Sequence, residues 1–150
     1  ELHPAWVSEF PLYQRDEKNG LLFTSNSPLI APHTDDIERL QSNPTEARSS
    51  RFQLVINGHV IVDGAVYSHD LDTQLLIFNQ LGYSQDTINN EYAHIIHALK
   101  HGCPPFANIS IDIDKLCMLA CETEDMNEVI AFPKTRSGRC HLMNKRRNEE

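Results

Sequence analysis

Two carboxylates and one ammonium group interrupt an otherwise apolar run at residues 108–119, which reads NISIDIDKLCML. Asp112 and Asp114 are two residues apart, so in a strand they share one face of the sheet, roughly 6 to 7 Å apart. Carboxylate oxygens so placed can hold a hard cation such as Mg²⁺. Aspartate is also a preferred cap at a helix start, and a short helix is predicted to begin at Lys115. We predict that Asp114 is this cap, which leaves Asp112 unexplained.

A second group of side chains that can bind metal lies upstream of that run. His94, His97 and His101 follow at i, i+3 and i+7, and Cys103 stands two residues beyond them. In a helix the three imidazoles share one side, and imidazole and thiolate both suit zinc. Structural zinc sites usually take ligands from two separate elements, however, and a stripe that also contains Leu99 is more typical of a packing helix. We therefore predict no metal site, with the three histidines as the remaining candidates.

Other catalytic patterns are not found in the sequence. Serine, histidine and aspartate occur without a nucleophile elbow or a Cys–His pattern, and no glycines stand in a phosphate-binding GxGxxG frame. The four cysteines lack the spacing of a disulfide framework. Cys117 and Cys121 lie one helical turn apart on a face that we predict to be buried, so reduced, packed thiols are expected.

Composition is that of one ordinary domain with a single core, since 150 residues contain 40% hydrophobic side chains. The formal net charge of -8 argues against non-specific binding of a polyanion over the whole surface. Six of the thirteen basic residues nevertheless fall between Lys134 and Arg147, which makes this region a candidate contact for tRNA or other RNA.

Membrane and export signals are not visible in the sequence. No run approaches eighteen apolar residues, and the first residues, ELHPAWVSEF, lack the pattern of a signal peptide. We therefore predict no membrane contact. The chain starts with Glu1 and not with Met, so we expect a processed form or a piece of a longer protein.

The elements that must position these residues follow from local patterns. The clearest is RFQLVINGHVIVDGAVYS, in which Asn57-Gly58 separates two β-rich runs and predicts a tight hairpin. A capped helix is predicted at TDDIERLQS, and helical spacing predicts one helix from His69 to Gly82 and another from about Asp86 to Lys100.

The later part of the chain adds a strand in FANISIDID, the short helix KLCMLACE and a brief extended segment in VIAFPKT. Hairpin, helices, strand and helix thus follow one another without regular βαβ alternation. The order favours an α+β fold around an antiparallel sheet over a doubly wound fold.

Six segments carry a resemblance to a known family through their order and their spacing: WVSEFPLY, SPLIAPH, ARSSRFQLVINGHVIVDGAVYSHD, TQLLIFNQLG, ALKHGCPPFANISIDIDKL and VIAFPKT. In this order the chain resembles the C-terminal half of the catalytic domain of aspartyl-tRNA synthetases of the bacterial and mitochondrial type. The resemblance implies a class II aminoacyl-tRNA synthetase core, in which an antiparallel sheet flanked by helices binds ATP and aspartate, makes aspartyl-adenylate and charges tRNA. Residues 1–143 would form this half-domain and residues 144–150 a flexible charged tail.

The strand after the Asn-Gly turn departs from the motifs of that family. The acidic residue that the family uses there for ATP and magnesium is replaced by Val60. Of the family's glycine cluster only Gly64 remains, because the segment reads Val62-Asp63-Gly64-Ala65. The arginine that the resemblance expects to hold the aspartate carboxylate falls on Tyr67.

Three further motifs also depart. The family's Pro-Pro-His-Gly-Gly reads Pro104-Pro105-Phe106-Ala107-Asn108. The two histidines of the family's His-His-Pro-Phe-Thr-Ala-Pro segment fall on Asn26 and Ser27. Its Gly-Leu-Asp-Arg motif reads Asp112-Ile113-Asp114-Lys115. Lys115 lacks the flat guanidinium that stacks on adenine. A charge on Asp112 about 4 Å from a phosphate would be repelled by roughly 1 to 4 kcal/mol.

The resemblance thus implies a degenerate ATP and aspartate pocket without an intact catalytic residue, at the positions Val60, Gly64, Tyr67, Asp112, Asp114 and Lys115. We predict a synthetase-derived domain that no longer aminoacylates and serves as a structural or binding subunit with a protein partner or a second copy. Its expected compartment is the mitochondrial matrix or otherwise the cytoplasm. The alternative is the C-terminal part of a functional aspartate–tRNA ligase, with ATP and Mg²⁺ as cofactors only in that case.

The apolar positions that would form the core of such a fold, by contrast, are retained with the spacing and on the face of each element that a core requires. The expected core residues are Leu54, Val55, Ile56, Leu76, Phe78, Leu81, Leu116, Ile130 and Phe132.

Overall fold

The structure is a computed structural model that describes residues 1–24 and 26–140. The chain forms two compact units, one from Glu1 to Ser110 and one from Ile111 onward, and each is described by itself. The predicted tail, 144–150, lies outside the described residues, as does the end of the basic region.

Most described strands belong to one sheet, with the order β1-β4-β5-β6. β1 pairs antiparallel with β4, β4 pairs antiparallel with β5, and β2 and β3 pair antiparallel apart from this sheet. The strands are β1 (Pro4–Ser8), β2 (Gln14–Arg15), β3 (Leu22–Phe23), β4 (Arg51–Ile56), β5 (His59–Tyr67) and β6 (Phe106–Ile111).

The predicted hairpin between β4 and β5 is confirmed. Asn57 and Gly58 have φ angles of 51° and 83°, the positive values that a tight two-residue turn requires. The register then shifts, since Leu54 pairs with Val62 whereas Val55 pairs with Val60. The extra residue, Ile61, forms a β-bulge, which changes the residues that lie opposite each other farther from the turn.

The described helices are α1 (Arg39–Ser42), α2 (Leu71–Gln80), α3 (Gln85–Glu91), α4 (Ala93–Lys100) and α5 (Ile113–Ala120). Helix α2 confirms the prediction from apolar spacing. It begins after Asp70, whose carboxylate accepts a hydrogen bond from the Thr73 backbone N–H at 2.8 Å, and Gly82 follows its end with a φ of 72°.

The helix predicted from Asp86 to Lys100 is wrong as one element, because α3 and α4 meet at Tyr92, whose backbone has a φ of -116° and a ψ of 8°. The Tyr92 ring packs against Phe78, with ring centroids 4.7 Å apart, and against Tyr83. Tertiary packing of this ring overrides the helical period.

The helix predicted at TDDIERLQS is also shorter than expected. Thr34–Asp36 form a 3-10 turn and α1 follows with only four residues. The reason is that Asp36 turns its carboxylate into the protein, where it binds Arg48. Further 3-10 turns lie at Pro44–Glu46 and Met126–Glu128. The predicted extended segment VIAFPKT contributes an isolated bridge between Lys134 and Cys140.

The core of the first unit lies where helices cover the segment after β1. Its buried cluster and the apolar residues packed on it include the predicted Leu76 and Leu81, and Phe78 is fully buried nearby. The cluster consists of Leu12, Tyr13, Leu40, Ala47 and Ile77.

The core prediction is wrong for Leu116 and Phe132, which are 42% and 70% exposed. Helix α5 buries Met118, and a residue two positions earlier in a helix points about 200° away. Cys117 on this helix and Cys121 at its C-cap are exposed, which contradicts the predicted burial, and the cysteines of the described chain are free. No described helix is long and apolar enough to cross a membrane.

Candidate functional site

A cavity of about 180 Å³ opens within the first unit. It is lined by Arg51 from β4, by Asp63, Gly64, Ala65 and Tyr67 from β5, and by Asn108 and Ser110 from β6. Asn26 and Ile30 close it from the segment that precedes the hairpin. Two of the positions predicted from the resemblance, Gly64 and Tyr67, are therefore in its wall.

A bidentate ion pair occupies one side of this cavity. The Arg51 guanidinium donates from Nε to Asp63 Oδ1 at 3.0 Å and from Nη2 to Asp63 Oδ2 at 2.7 Å. The same guanidinium lies over the Phe10 ring, 4.9 Å from its centroid. The hydrogen bonds between the two side chains lower the pKa of Asp63 and raise the pKa of Arg51. Both groups therefore stay charged near neutral pH and are engaged with each other.

An aromatic pair forms another part of the site. The rings of Tyr67 and Phe106 stack with centroids 5.3 Å apart and planes tilted by 3°. These are the positions where the resemblance expects an arginine for the substrate carboxylate and the histidine after Pro-Pro. Two polar groups expected at the site are thus replaced by rings that contact each other, an arrangement that contributes about 0.5 to 1.5 kcal/mol beyond burial.

Gly64 has a packing role in this structure. A Cβ at this position would lie 2.7 Å from Cε2 of Phe52, its partner across the hairpin, and 2.9 Å from the carbonyl oxygen of Asn108. The aromatic ring of Phe52 thus lies over the glycine where a side chain would otherwise stand. The resemblance assigns Gly64 to the nucleotide pocket, and the close approach of its neighbours is a separate, structural reason for a glycine here.

Val60 lies at the turn end of β5, opposite Val55. It is half-buried and does not line the cavity. A hydrocarbon side chain offers no oxygen to a hard cation, so the Val60 side chain cannot replace the acidic magnesium ligand that the resemblance expects.

The predicted cap at Asp114 is wrong, because Asp112 caps α5. Oδ1 of Asp112 accepts from the backbone N–H of Lys115 at 3.0 Å, and the Lys115 ammonium lies 3.0 Å from Oδ2. These interactions lower the pKa of Asp112, with the backbone bond as the largest cause. Strand β6 ends at Ile111, so the helix starts two residues before the predicted Lys115, and Asp114 is an exposed residue of the first turn. These residues belong to the second unit.

The three histidine candidates are only partly brought together. The rings of His97 and His101 contact each other with centroids 4.3 Å apart. Within residues 1–24 and 26–140, no group of three or more His, Cys, Asp or Glu side chains could hold a metal ion. The predicted stripe with Cys103 is therefore not assembled into a metal site of three or more ligands.

Arg51, Asn108 and Ser110 were not predicted as site residues. The signal available for Arg51 was its position in the hairpin, since residues at similar distances from Asn57-Gly58 lie near each other across the strands. Asn108 and Ser110 alternate along a predicted strand, which places them on one face, although the sequence does not say which strand lies beside it. All six residues of β6 are exposed.

Comparisons with known proteins give a consistent result. The profile of a family described as tRNA synthetases class II (D, K and N) matches residues 1–136. The aspartate–tRNA(Asp/Asn) ligase of Salinibacter ruber is 37% identical over 134 residues, which cover 89% of this chain and 21% of that protein. The corresponding ligase of Brachyspira hyodysenteriae is 36% identical over 140 residues, which cover 93% of this chain and 24% of that protein. The chain thus spans about a fifth to a quarter of these relatives.

Solved structures show the same fold. An aspartyl tRNA synthetase from Entamoeba histolytica superposes with a TM-score of 0.63 at 18% identity, covering 89% of this chain and 23% of that one. An asparaginyl-tRNA synthetase from Pyrococcus horikoshii gives a TM-score of 0.64 at 14% identity, covering 89% and 27%. The predicted α+β fold with an antiparallel sheet is confirmed, as a partial match to these catalytic cores.

Proposed function

We propose that this chain, which belongs to the class II tRNA synthetases of the D, K and N group, is an aspartyl-tRNA synthetase-derived domain. We further propose that it no longer makes aspartyl-adenylate. In this proposal the domain serves as a structural or binding subunit. The observation that carries the proposal is the ion pair inside the cavity, where the Asp63 carboxylate accepts two hydrogen bonds from the Arg51 guanidinium.

Recognition of aspartate requires a cation that is available to a carboxylate. Arg51 is the cationic side chain among the residues that line the described cavity, and two of its donors already bind Asp63. A substrate carboxylate would have to displace Asp63 or approach it. At about 4 Å, the repulsion between the two carboxylates amounts to roughly 1 to 4 kcal/mol, depending on screening.

The aromatic pair acts in the same direction. An arginine at position 67 could bind a carboxylate through two parallel hydrogen bonds, whereas Tyr67 offers one hydroxyl group and stacks its ring on Phe106. Val60 adds no oxygen ligand for magnesium. Adenylate formation depends on positioned charges that stabilise the reacting phosphate, so the loss of several such groups should reduce the rate by many orders of magnitude.

The test is ATP–pyrophosphate exchange with L-aspartate, measured on the longest natural chain that contains these 150 residues. We expect no exchange above the level seen without aspartate, while an active aspartate–tRNA ligase assayed in parallel exchanges readily. Robust aspartate-dependent exchange would overturn the proposal. It would favour the alternative, in which this chain is the C-terminal part of a working aspartate–tRNA ligase.

A protein partner or a second copy is the proposed binding role. Trp6 on β1 is 65% exposed and Ile109 on β6 is 56% exposed, and both strands are edges of the described sheet. Exposed apolar residues on open sheet edges favour association with another chain. Sedimentation velocity over a hundredfold concentration range should show self-association, which Trp6→Ser should weaken. A strictly monomeric parent chain would remove the second copy as the partner.

Contact with tRNA or other RNA through Lys134 to Arg147 is a second proposed role, supported by the local concentration of basic residues in an acidic chain. Neutralised phosphates release counterions, so RNA affinity should fall steeply as salt rises. Changing Lys145, Arg146 and Arg147 to glutamine should flatten that dependence. An unchanged slope would exclude this segment. The mitochondrial compartment also stays a prediction.

A further inference from the structure

Two imidazoles meet on the surface of α4, away from the cavity. His97 lies in the last turn of the helix and His101 follows one turn later as its C-cap. Their ring centroids are 4.3 Å apart, and both residues are exposed. Side chains at i and i+4 lie on the same face of a helix, so both rings project to the same side.

A hydrogen bond fixes the tautomer of one of these rings. Nδ1 of His101 lies 2.8 Å from the backbone carbonyl oxygen of His97. A carbonyl oxygen can only accept, so Nδ1 carries a proton, and in the neutral ring Nε2 has the free lone pair. Metal-binding histidines commonly use one ring nitrogen in this way, with the other nitrogen bound to the metal.

We propose that His97 and His101 form a two-imidazole site for a divalent transition metal ion such as Zn²⁺, with water completing the coordination. Imidazole nitrogen is a ligand that suits zinc, copper and nickel. In the described part of the chain no third histidine, cysteine or carboxylate completes a larger group. The expected affinity is therefore modest, and it depends on both rings binding one ion. The site is independent of the proposed function, because α4 contributes no residue to the cavity.

The test is calorimetric titration of the 150-residue chain with ZnCl₂. Cysteines are first blocked with iodoacetamide, since free thiols bind zinc, and every protein carries His3→Gln to remove the imidazole next to the amino terminus. We expect one zinc ion per chain. His97→Gln and His101→Gln should each weaken binding about tenfold or more, because binding by the second ring is intramolecular in the parent chain.

His94→Gln is the matched control, since this histidine is on the same helix but outside the contacting pair, and its affinity should stay within about twofold of the parent. Saturating zinc should raise the thermal midpoint of the parent and of His94→Gln, but much less that of the other two variants. Far-UV circular dichroism checks that all variants fold. Absence of zinc binding, or equal affinities for the parent and the His97 and His101 variants, would overturn the proposal. Equal weakening by His94→Gln would do so too.

Discussion

Two arginine–carboxylate pairs lie in the first unit with nearly the same geometry and with opposite surroundings. In the scaffold pair, Arg48 binds Asp36 through Nε at 2.7 Å and Nη2 at 3.2 Å. In the cavity pair, Arg51 binds Asp63 at 3.0 and 2.7 Å. The Asp36 side chain is fully buried, however, whereas that of Asp63 is 40% exposed and faces the cavity.

The scaffold pair is also part of a network. Asp36 accepts a third hydrogen bond from the Arg48 backbone N–H at 3.0 Å and lies 3.0 Å from Arg39, while Arg48 reaches Glu9 at 3.2 Å. A buried carboxylate with its acceptor sites filled joins separate chain segments. The cavity pair instead occupies space that a ligand could take. Similar ion-pair geometry thus serves the fold in the scaffold pair, whereas in the proposed function the cavity pair blocks a carboxylate site.

The largest effect should come from breaking the scaffold pair. Asp36→Ala leaves the half-buried Arg48 without its main partner, and we expect the thermal midpoint to fall by roughly 10 °C at neutral pH. Thermal unfolding followed by circular dichroism measures the change. Asp35→Ala is the matched control, since the neighbouring carboxylate is exposed. Equal midpoints for the two variants would contradict the structural role of the scaffold pair.

Acid should remove the stabilisation of the folded state that the pair of Asp36 and Arg48 provides. Hydrogen bonds from Arg48 hold the pKa of Asp36 far below its ordinary value. A carboxylate with a lowered pKa in the folded state stabilises that state above its unfolded pKa of about 4, and this stabilisation is lost as the pH falls further. The difference in unfolding free energy between the parent and Asp36→Ala should therefore be constant from pH 8 to 5 and shrink below about pH 4. A constant difference down to pH 2 would speak against this linkage.

Gly64 tests whether the cavity wall belongs to the scaffold. Gly64→Ala forces a Cβ against the Phe52 ring and the Asn108 carbonyl, and we expect a loss of about 1 to 3 kcal/mol in urea unfolding. Phe52→Ala removes most of the obstruction, so Gly64→Ala should be much less destabilising in that background. Equal losses in both backgrounds would mean that the ring is not the cause.

Local signals in the sequence explain which parts of the fold could be predicted. Asn57-Gly58 predicts the hairpin and apolar spacing predicts α2, because both depend on residues close in the chain. The break at Tyr92 depends on contacts with Phe78 and Tyr83, which no local pattern reveals. The start of α5 was misplaced because an aspartate can cap a helix from either position 112 or 114.

The cavity pair shows why the site was harder to predict than the fold. Asp63 lies opposite Gln53. Arg51 is two residues before Gln53 on β4, so its side chain lies on the same face of the sheet as that of Asp63. Without the bulge at Ile61, Asp63 would oppose Phe52 and Arg51 would point to the other face. A one-residue irregularity therefore decides whether the ion pair forms. The stack of Tyr67 on Phe106 likewise depends on β6 lying beside β5.

Removing the cap of α5 should destabilise the protein less than Asp36→Ala or Gly64→Ala does. Asp112→Ala removes the acceptor for the Lys115 backbone N–H, and we expect the thermal midpoint to fall by roughly 2 to 4 °C. Asp112→Asn should retain most of the midpoint, because asparagine also caps helices. Asp114→Ala should change it less than Asp112→Ala does. The reverse order would restore Asp114 as the cap.

The smallest change in stability should come from the cavity pair itself. Asp63→Ala removes a carboxylate that is already 40% exposed and screened by water, so we expect urea unfolding to change by no more than about 1 kcal/mol. The same change leaves Arg51 available at the cavity. The variant should therefore gain measurable affinity for L-aspartate or succinate, each of which supplies the carboxylate that Asp63 supplied.

Calorimetry with either dicarboxylate separates this gain from a general charge effect. Asp72→Ala, which removes an exposed carboxylate from α2, is matched in charge and should not bind. Adding Arg51→Met to Asp63→Ala should abolish the binding, since the guanidinium is the expected anchor. If Asp63→Ala binds neither compound, Asp63 is not what keeps carboxylates out. Both ion pairs would then belong to the scaffold, because the loss of a merely obstructing group must leave the cavity better able to bind a carboxylate than before.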